Sequence, residues 1–302
     1  MKTLRLRLVG GLGNQIFGVI AGVYFSKRLN RKLELNIWDV AQSHSEFDIR
    51  SFALPYTVVG TKRKLYGVSL FLNRVRHSLI YRFGFILKWN PFPLPFFVDS
   101  GFEENSKISS RWSLVFFSGY FQDFRYLDSL ESEFKKALTL TRKSPQLITL
   151  EKEVGKYIDI AVHVRRGDFL AAKNYHGCLS AMWYLKVLSS NLQVAPESST
   201  LWIFSNDIEW CKTEFIPLRN SGWGRIIFVS EKDLIDPAEN FYLFGTLKYQ
   251  VCANSTFSLL AARLGRNENV VVPQTLNING DFKTLERSIP SHWIQIEPIW
   301  ED

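Results

Sequence analysis

The sequence predicts an α/β protein built as two lobes, each around a parallel sheet, with a cleft between them. Three observations predict it. Short apolar segments with strand-like alternation are interleaved with amphipathic helical stretches, the pattern of repeated β–α units. The alternation pauses in a polar stretch around 141–155 and resumes near 157, dividing the chain into an N-terminal lobe over 1–150 and a C-terminal lobe over 151–302. A glycine turn, Gly10-Gly11-Leu12-Gly13, joins the first strand to the first helix, at the strand end where open parallel sheets bind ligands. The 302 residues, 46% hydrophobic and 15% aromatic, suffice for such cores.

In chain order, residues 3–9 read as a strand, with Leu4, Leu6 and Leu8 alternating with Arg5 and Arg7. A helix over 14–29, a strand over 33–37, a strand over 113–117 and a helix over 123–138 follow. The region 55–100 is less regular and ends in Asn90-Pro91-Phe92-Pro93-Leu94-Pro95, a loop by its proline content. The second set has strands over 157–164, 201–205, 225–229 and 269–272, and helices over 180–192, 208–215, 238–247 and 256–264. The polar stretch at 141–155 is the expected hinge.

Composition excludes several classes. The three cysteines, Cys178, Cys211 and Cys252, are odd in number and far apart, which argues against a disulfide scaffold or zinc ribbon and for a reducing compartment. The N-terminus shows no signal-peptide pattern and no stretch is apolar enough to span a bilayer, so a cytoplasmic protein is expected. The net charge is +8, and residues 49–98 hold eight cations and no carboxylate. Aromatic residues are interleaved with them. Such a surface suits an anionic leaflet, giving peripheral contact with the inner face of the cytoplasmic membrane, or a phosphate-bearing partner; a solvated face is the plain alternative. No nucleic-acid-binding module surrounds it, so no nucleic-acid partner is expected.

Four strand-end motifs carry candidate chemistry. Gly10-Gly11-Leu12-Gly13-Asn14-Gln15 lacks the spacing of a dinucleotide fingerprint and the Lys of a P-loop, but it lets backbone approach an anion at a helix start and adds two amides. A tight strand–helix joint is the simpler reading. His163-Val164-Arg165-Arg166-Gly167-Asp168 ends a strand; alternation puts His163 and Arg165 on one face and Arg166 on the other. Adjacent arginines need anionic partners, and guanidinium forks match a pyrophosphate; an internal salt bridge of Arg166 with Asp168 or another carboxylate is the alternative. In Phe204-Ser205-Asn206-Asp207, Asp207 either caps the next helix or accepts the N–H pair of a guanine. In Asn254-Ser255-Thr256-Phe257-Ser258, hydroxyls and amides at a helix start form a phosphate cradle or simply a cap.

Together with Gly119-Tyr120-Phe121-Gln122, His176-Gly177-Cys178-Leu179-Ser180 and Trp293-Ile294, these motifs resemble, in order and over nearly the whole chain, the α-1,2-fucosyltransferases of glycosyltransferase family 11. The resemblance implies two Rossmann-like lobes in a GT-B-like arrangement, with GDP-fucose in the second lobe. It implies Arg165 on the β-phosphate, His163 and Asp207 on guanine, and Ser255, Thr256 and Ser258 on phosphate. Gly11, Gly13 and Asn14 would approach from the first lobe. Two departures stand out: Leu259-Leu260 replaces a pair of tryptophans, and Gly18-Val19-Ile20 replaces an aromatic-rich helix start.

The implied activity is inverting transfer of L-fucose to the 2-hydroxyl of a galactose in an oligosaccharide, an O-antigen-type glycan or a lipid-linked acceptor. The alternatives are another linkage or acceptor, including protein, or a sugar-nucleotide-binding protein without catalysis. No Asp-x-Asp triplet occurs, Glu231-Lys232-Asp233 being the nearest, so cationic stabilisation by Arg165 without metal or cofactor is expected. For the proton of the acceptor hydroxyl, Asp168 and His176 are the candidates, with Arg165 as the third catalytic group.

Overall fold

A computed structural model describes residues 2–37, 48–54, 57–59, 96–192, 194–230, 237–279 and 283–301. Among these, the first sheet comprises β1 (Thr3–Arg7), β2 (Lys32–Asn36), β3 (Thr57–Val59), β4 (Phe96–Val98) and β5 (Leu114–Ser118), in the order β3-β2-β1-β5-β4. All its pairings are parallel. Alternation in β1 buries Leu4 and Leu6 completely and leaves Arg5 on the other face, 2.8 Å from Glu34. Helix α1 (Leu12–Leu29) follows and is buried on nearly every side until Asn30 ends it in the left-handed conformation. Short helices α2 (Phe102–Asn105), α3 (Glu131–Ala137) and α4 (Pro145–Glu151) complete this half.

The second sheet comprises β6 (Ile158–Val164), β7 (Ser199–Ser205), β8 (Ile226–Ser230), β9 (Tyr249–Val251), β10 (Asn269–Pro273) and β11 (Ile294–Ile296), ordered β11-β10-β9-β6-β7-β8 and again parallel. Its helices are α5 (Gly167–Ala171), α6 (Lys173–His176), α7 (Ala181–Ser190), α8 (Ile208–Glu214), α9 (Ile216–Asn220), α10 (Pro237–Thr246), α11 (Thr256–Leu264) and α12 (Lys283–Ser288). Strands β6 and β7 are buried almost throughout, as central strands covered on both faces must be. In each sheet the chain leaves the central strand in opposite directions, opening a crevice at the strand C-termini between β1 and β5 and between β6 and β9.

One apolar cluster runs through both lobes. It joins Leu6, Ile16, Phe17 and Phe117 to Phe241, Phe244, Leu259 and Leu260. Helices α1 and α11 pack directly together, and the rings of Phe52 and Phe241 lie 5.9 Å apart. Each such large side chain contributes about 1.5–3 kcal/mol on burial. The leucines that replace the tryptophan pair are therefore core residues of the junction.

One expectation is corrected, and the stretch between the lobes gains detail. Residues 123–138 are not one helix: Asp123 caps a 3-10 turn, accepting from the Arg125 N–H at 2.9 Å, and α3 begins only at Glu131. The turn places both Phe124 and Tyr126 in the core. The expected hinge is also partly helical. Ser144 caps α4, and the Glu239 carboxylate accepts its N–H at 2.6 Å and its hydroxyl at 2.9 Å. Its polarity serves capping and ion pairing, Lys143 to Glu151 at 2.6 Å among them.

Of the eight cations in 49–98, seven lie outside the described residues, as does the proline-rich run. Among the described residues no helix is long and apolar enough to cross a membrane.

Candidate active site

The second-lobe crevice is built where β6 and β9 end. Arg165 leaves β6 with its side chain 27% exposed and its Nη2 2.7 Å from Asp168 Oδ2. Its guanidinium lies 5.4 Å from the centre of the Phe169 ring. Its Nε is buried and has no hydrogen-bond partner among the described residues. Arg31 and Arg225 share an unpartnered buried Nε; what sets Arg165 apart is its place at the C-terminal end of β6, where such a donor is suited to a phosphate oxygen. Arg166 points the other way. Its Nε lies 3.2 Å from Asp207 Oδ2, it pairs with Glu301, and it stacks 4.1 Å over Trp210. The internal salt-bridge reading of Arg166 therefore holds, with Asp207 and Glu301 as partners rather than Asp168. Asp207 also caps α8, accepting from the Trp210 N–H at 3.3 Å.

His163 shares the face of Arg165 but is only 6% exposed. Its Nδ1 lies 2.9 Å from Ser258 Oγ, and Phe257 and Phe244 pack against its ring at 5.1 and 6.1 Å. Burial, with the Arg165 charge adding to it, lowers its pKa to about 3, so the ring is neutral. Ser258 is fully buried and also bonded to the Ala253 and Ser255 carbonyls. This placement departs from a guanine contact for His163 and a phosphate contact for Ser258. The two brace the strand end from behind, because α10 and α11 cover that face. Ser255 caps α11, accepting from the Phe257 N–H.

The segment after Arg166 folds back over the crevice. His176 stacks on Phe169, with centroids 4.5 Å apart and planes 14° from parallel. Burial lowers its pKa, the Asp168 charge opposing and the Arg165 charge reinforcing the shift. Asn254 Nδ2 donates to the carbonyls of His176 and Gly177 at 3.0 and 3.1 Å, so the β9 end fixes this segment. The chain end straps the same region: Ser180 N–H donates to Ile299 O, and Glu301 N–H to Cys178 O, both at 2.8 Å. Sequence reasoning missed Phe169 and Glu301. Phe169 was signalled only by its adjacency to the Arg-Arg-Gly-Asp run, and Glu301 by nothing local.

The first-lobe crevice meets the second at a direct contact. Asn14 Oδ1 accepts from Thr256 Oγ1 at 3.1 Å and from Gln122 Nε2 at 2.8 Å. Gly13 lies against the start of α11, where a Cβ would fall 2.6 Å from the Phe257 nitrogen. Gly11, at the N-terminus of α1, borders open space. Gln15 turns inward and donates to Gly10 O at 2.9 Å. The corner holding Gln122 is tightly made. A Cβ on Gly119 would come 2.2 Å from that of Asp99. Phe121 sits at φ +50, its N–H donating to Asp99 Oδ2 at 2.6 Å and its ring buried. A left-handed backbone costs about 1–2 kcal/mol at a non-glycine residue.

The structure thus brings together Arg165, Asp168 and His176 on one wall, and Gly13, Asn14, Ser255 and Thr256 at the junction of the lobes. Asp207 lies beyond Arg166, and His163 and Ser258 stand behind.

Comparison with known proteins agrees with this frame. The description of glycosyl transferase family 11 matches residues 97–297. The Escherichia coli O-antigen biosynthesis glycosyltransferase WbnK is 27% identical over 287 residues, covering 88% of this chain and 91% of that protein. An Escherichia coli alpha-1,2-colitosyltransferase is 26% identical over 312 residues, covering 98% and 100%. The human galactoside alpha-(1,2)-fucosyltransferase 1 is 22% identical over 200 residues, covering 61% and 54%. Among solved structures, an Arabidopsis thaliana FUT1 mutant in complex with GDP superposes with a TM-score of 0.54 at 12% identity, covering 90% of this chain and 70% of that one. That likeness establishes the fold, two Rossmann-like lobes in a GT-B-like arrangement. With a family match over most of its length, the chain belongs to glycosyl transferase family 11.

Proposed function

We propose that this protein is an inverting fucosyltransferase that moves L-fucose from GDP-fucose to the 2-hydroxyl of a galactose in an oligosaccharide or O-antigen-type glycan. The observation that carries the reading is Arg165, a cation at the switch point of the second sheet whose buried Nε lacks a partner among the described residues. As GDP departs, negative charge gathers on the β-phosphate. A preorganised donor there is worth roughly 3–4 kcal/mol, and no metal is needed to supply it. Ser255, Thr256 and the first N–H groups of α11 border the same oxygens, with Gly11, Gly13 and Asn14 closing from the other lobe. Asp207, partly exposed at the end of β7, is the residue assigned to guanine. His163 and Ser258 support this wall from the core.

The proton of the acceptor hydroxyl needs a base. Asp168 is held by Arg165, whereas His176 is kept neutral by burial and is able to accept a proton near pH 7. His176 is therefore the preferred base, and Asp168 the group that orients Arg165. The linkage is supported by the relatives named for α-1,2 transfer. One of them, the colitosyltransferase, aligns from end to end and favours a second reading in which the donor sugar is colitosyl. The cytoplasm, or the inner leaflet through residues 49–98, is the proposed location.

The experiment is a transfer assay with GDP-fucose and GDP-colitose against lactose, N-acetyllactosamine and a Gal-GalNAc disaccharide, in EDTA, followed by NMR linkage analysis. The expected product is an α-1,2-fucosylated galactoside at a rate EDTA does not change. Preference for GDP-colitose selects the second reading. A linkage other than O-2, or no transfer to any galactoside, rejects both.

A further inference from the structure

Two residues past the C-terminal end of β5 stands a large aromatic side chain that the described core does not use. Tyr120 is 51% exposed, yet both neighbours in sequence are immobilised. Gly119 is packed against Asp99, and Phe121 is held at φ +50 by the Asp99 carboxylate and by its own buried ring. Strained backbone of this kind persists where surrounding structure over-determines it, and it clusters at ligand sites. Two residues on, Gln122 bonds Asn14, which bonds Thr256. The Cα of Tyr120 is thus within about 7 Å of the Cα of the residue that latches the two crevices together. The end of β6 holds the cations suited to a nucleotide; the end of β5 offers a neutral ring whose flat face matches the C–H face of a hexose, as a rigid, amphipathic side chain that loses little entropy on binding does.

We infer that Tyr120 is a binding residue for the acceptor, its ring stacking against the acceptor hexose at the mouth of the first-lobe crevice. This inference rests on the reading of the protein as a glycan-modifying transferase. It assigns acceptor recognition to the end of β5, apart from the donor wall.

The test is saturation-transfer NMR of galactoside binding to the wild-type protein, Tyr120→Ala and Tyr120→Phe, with and without GDP, alongside kinetics and thermal melting. The expected result is an acceptor Kd and KM at least tenfold higher in Tyr120→Ala and near wild type in Tyr120→Phe. GDP affinity, donor KM, acceptor-independent GDP-fucose hydrolysis and melting temperature stay within twofold or 2 °C, roughly the margin for a surface change. Unchanged galactoside binding in Tyr120→Ala overturns the platform while leaving the transferase reading intact, as does an equal loss of GDP affinity. If galactosides do not bind but another glycan in the panel does, and Tyr120→Ala loses it, the platform stands and the galactoside assignment falls. Absence of any glycan binding by the wild-type protein overturns both.

Discussion

The two crevices are built on the same plan and furnished with opposite chemistry. Each lies at the C-terminal end of a central parallel strand, where the chain crosses to the other side of the sheet. The second-lobe strand end carries Arg165 with Asp168 on the crevice side and Arg166 with Asp207 and Glu301 on the other, all in ion pairs. The first-lobe strand end carries glycines, Asn14, Gln122 and Tyr120, and apart from the Asp99 carboxylate that holds Phe121 its bonds run between neutral amides and hydroxyls. The difference teaches that shape alone does not set the division of labour. A doubly wound sheet supplies a crevice at its switch point, and the side chains at the strand end decide which ligand chemistry it suits, anionic or neutral.

The sharpest way to break the comparison is to discharge the charged wall. Arg165→Ala is expected to lower kcat by roughly a thousandfold, while GDP-independent melting shifts little, because the lost ion pair with an exposed Asp168 contributes at most about 1 kcal/mol. Transfer within tenfold of wild type would mean that the β-phosphate charge is met elsewhere. Next in size is the junction. Gly13→Ala places a methyl group against the α11 backbone, and overpacking of this kind costs about 1–3 kcal/mol. Denaturant unfolding should show a lower midpoint, and the donor KM should rise as the latch opens; wild-type values for both would show the contact to be loose.

The effect that vanishes near neutral pH and grows only in acid concerns the support behind the charged wall. The folded-state pKa of His163 is lowered by burial to about 3, from 6.5 when solvated. Between those values the unfolded chain binds a proton that the folded chain does not. Stability therefore falls as pH drops from about 6.5 towards about 3, by up to about 1.4 kcal/mol per pH unit. His163→Gln, which keeps a partner for Ser258, should flatten this part of the acid-unfolding curve measured by circular dichroism. An unchanged slope would show that the ring is solvated.

Much of this was legible in sequence because strand-end motifs are local. Period-two alternation placed Arg165 and Arg166 on opposite faces, and glycine before an amphipathic run marked the start of α1. The motif-based likeness to glycosyltransferase family 11 extended that reading to the fold, and supplies the donor proposed above. What escaped depended on what covers a face. Alternation put His163 beside Arg165 but carried no sign that Phe244 and Phe257 would bury it. Glu301 reaches Arg166 across 135 positions of sequence, a pairing without a local signature. The three-residue strands β9 and β11 are too short for periodicity to register, and the left-handed Phe121 is imposed by tertiary packing around Asp99.

The apolar cluster shared by both lobes has a consequence for how the chain comes into being. Strand β1 pairs with β5, which starts at Leu114, and the exposed flank of α1 is covered only when α11, ending at Leu264, has been made. At roughly 5–20 residues per second, Ile16, Phe17 and their neighbours wait on the ribosome for many seconds without their partners. Until then the N-terminal half exposes apolar surface that the finished molecule buries, and co-expression of a holdase is expected to raise the soluble yield.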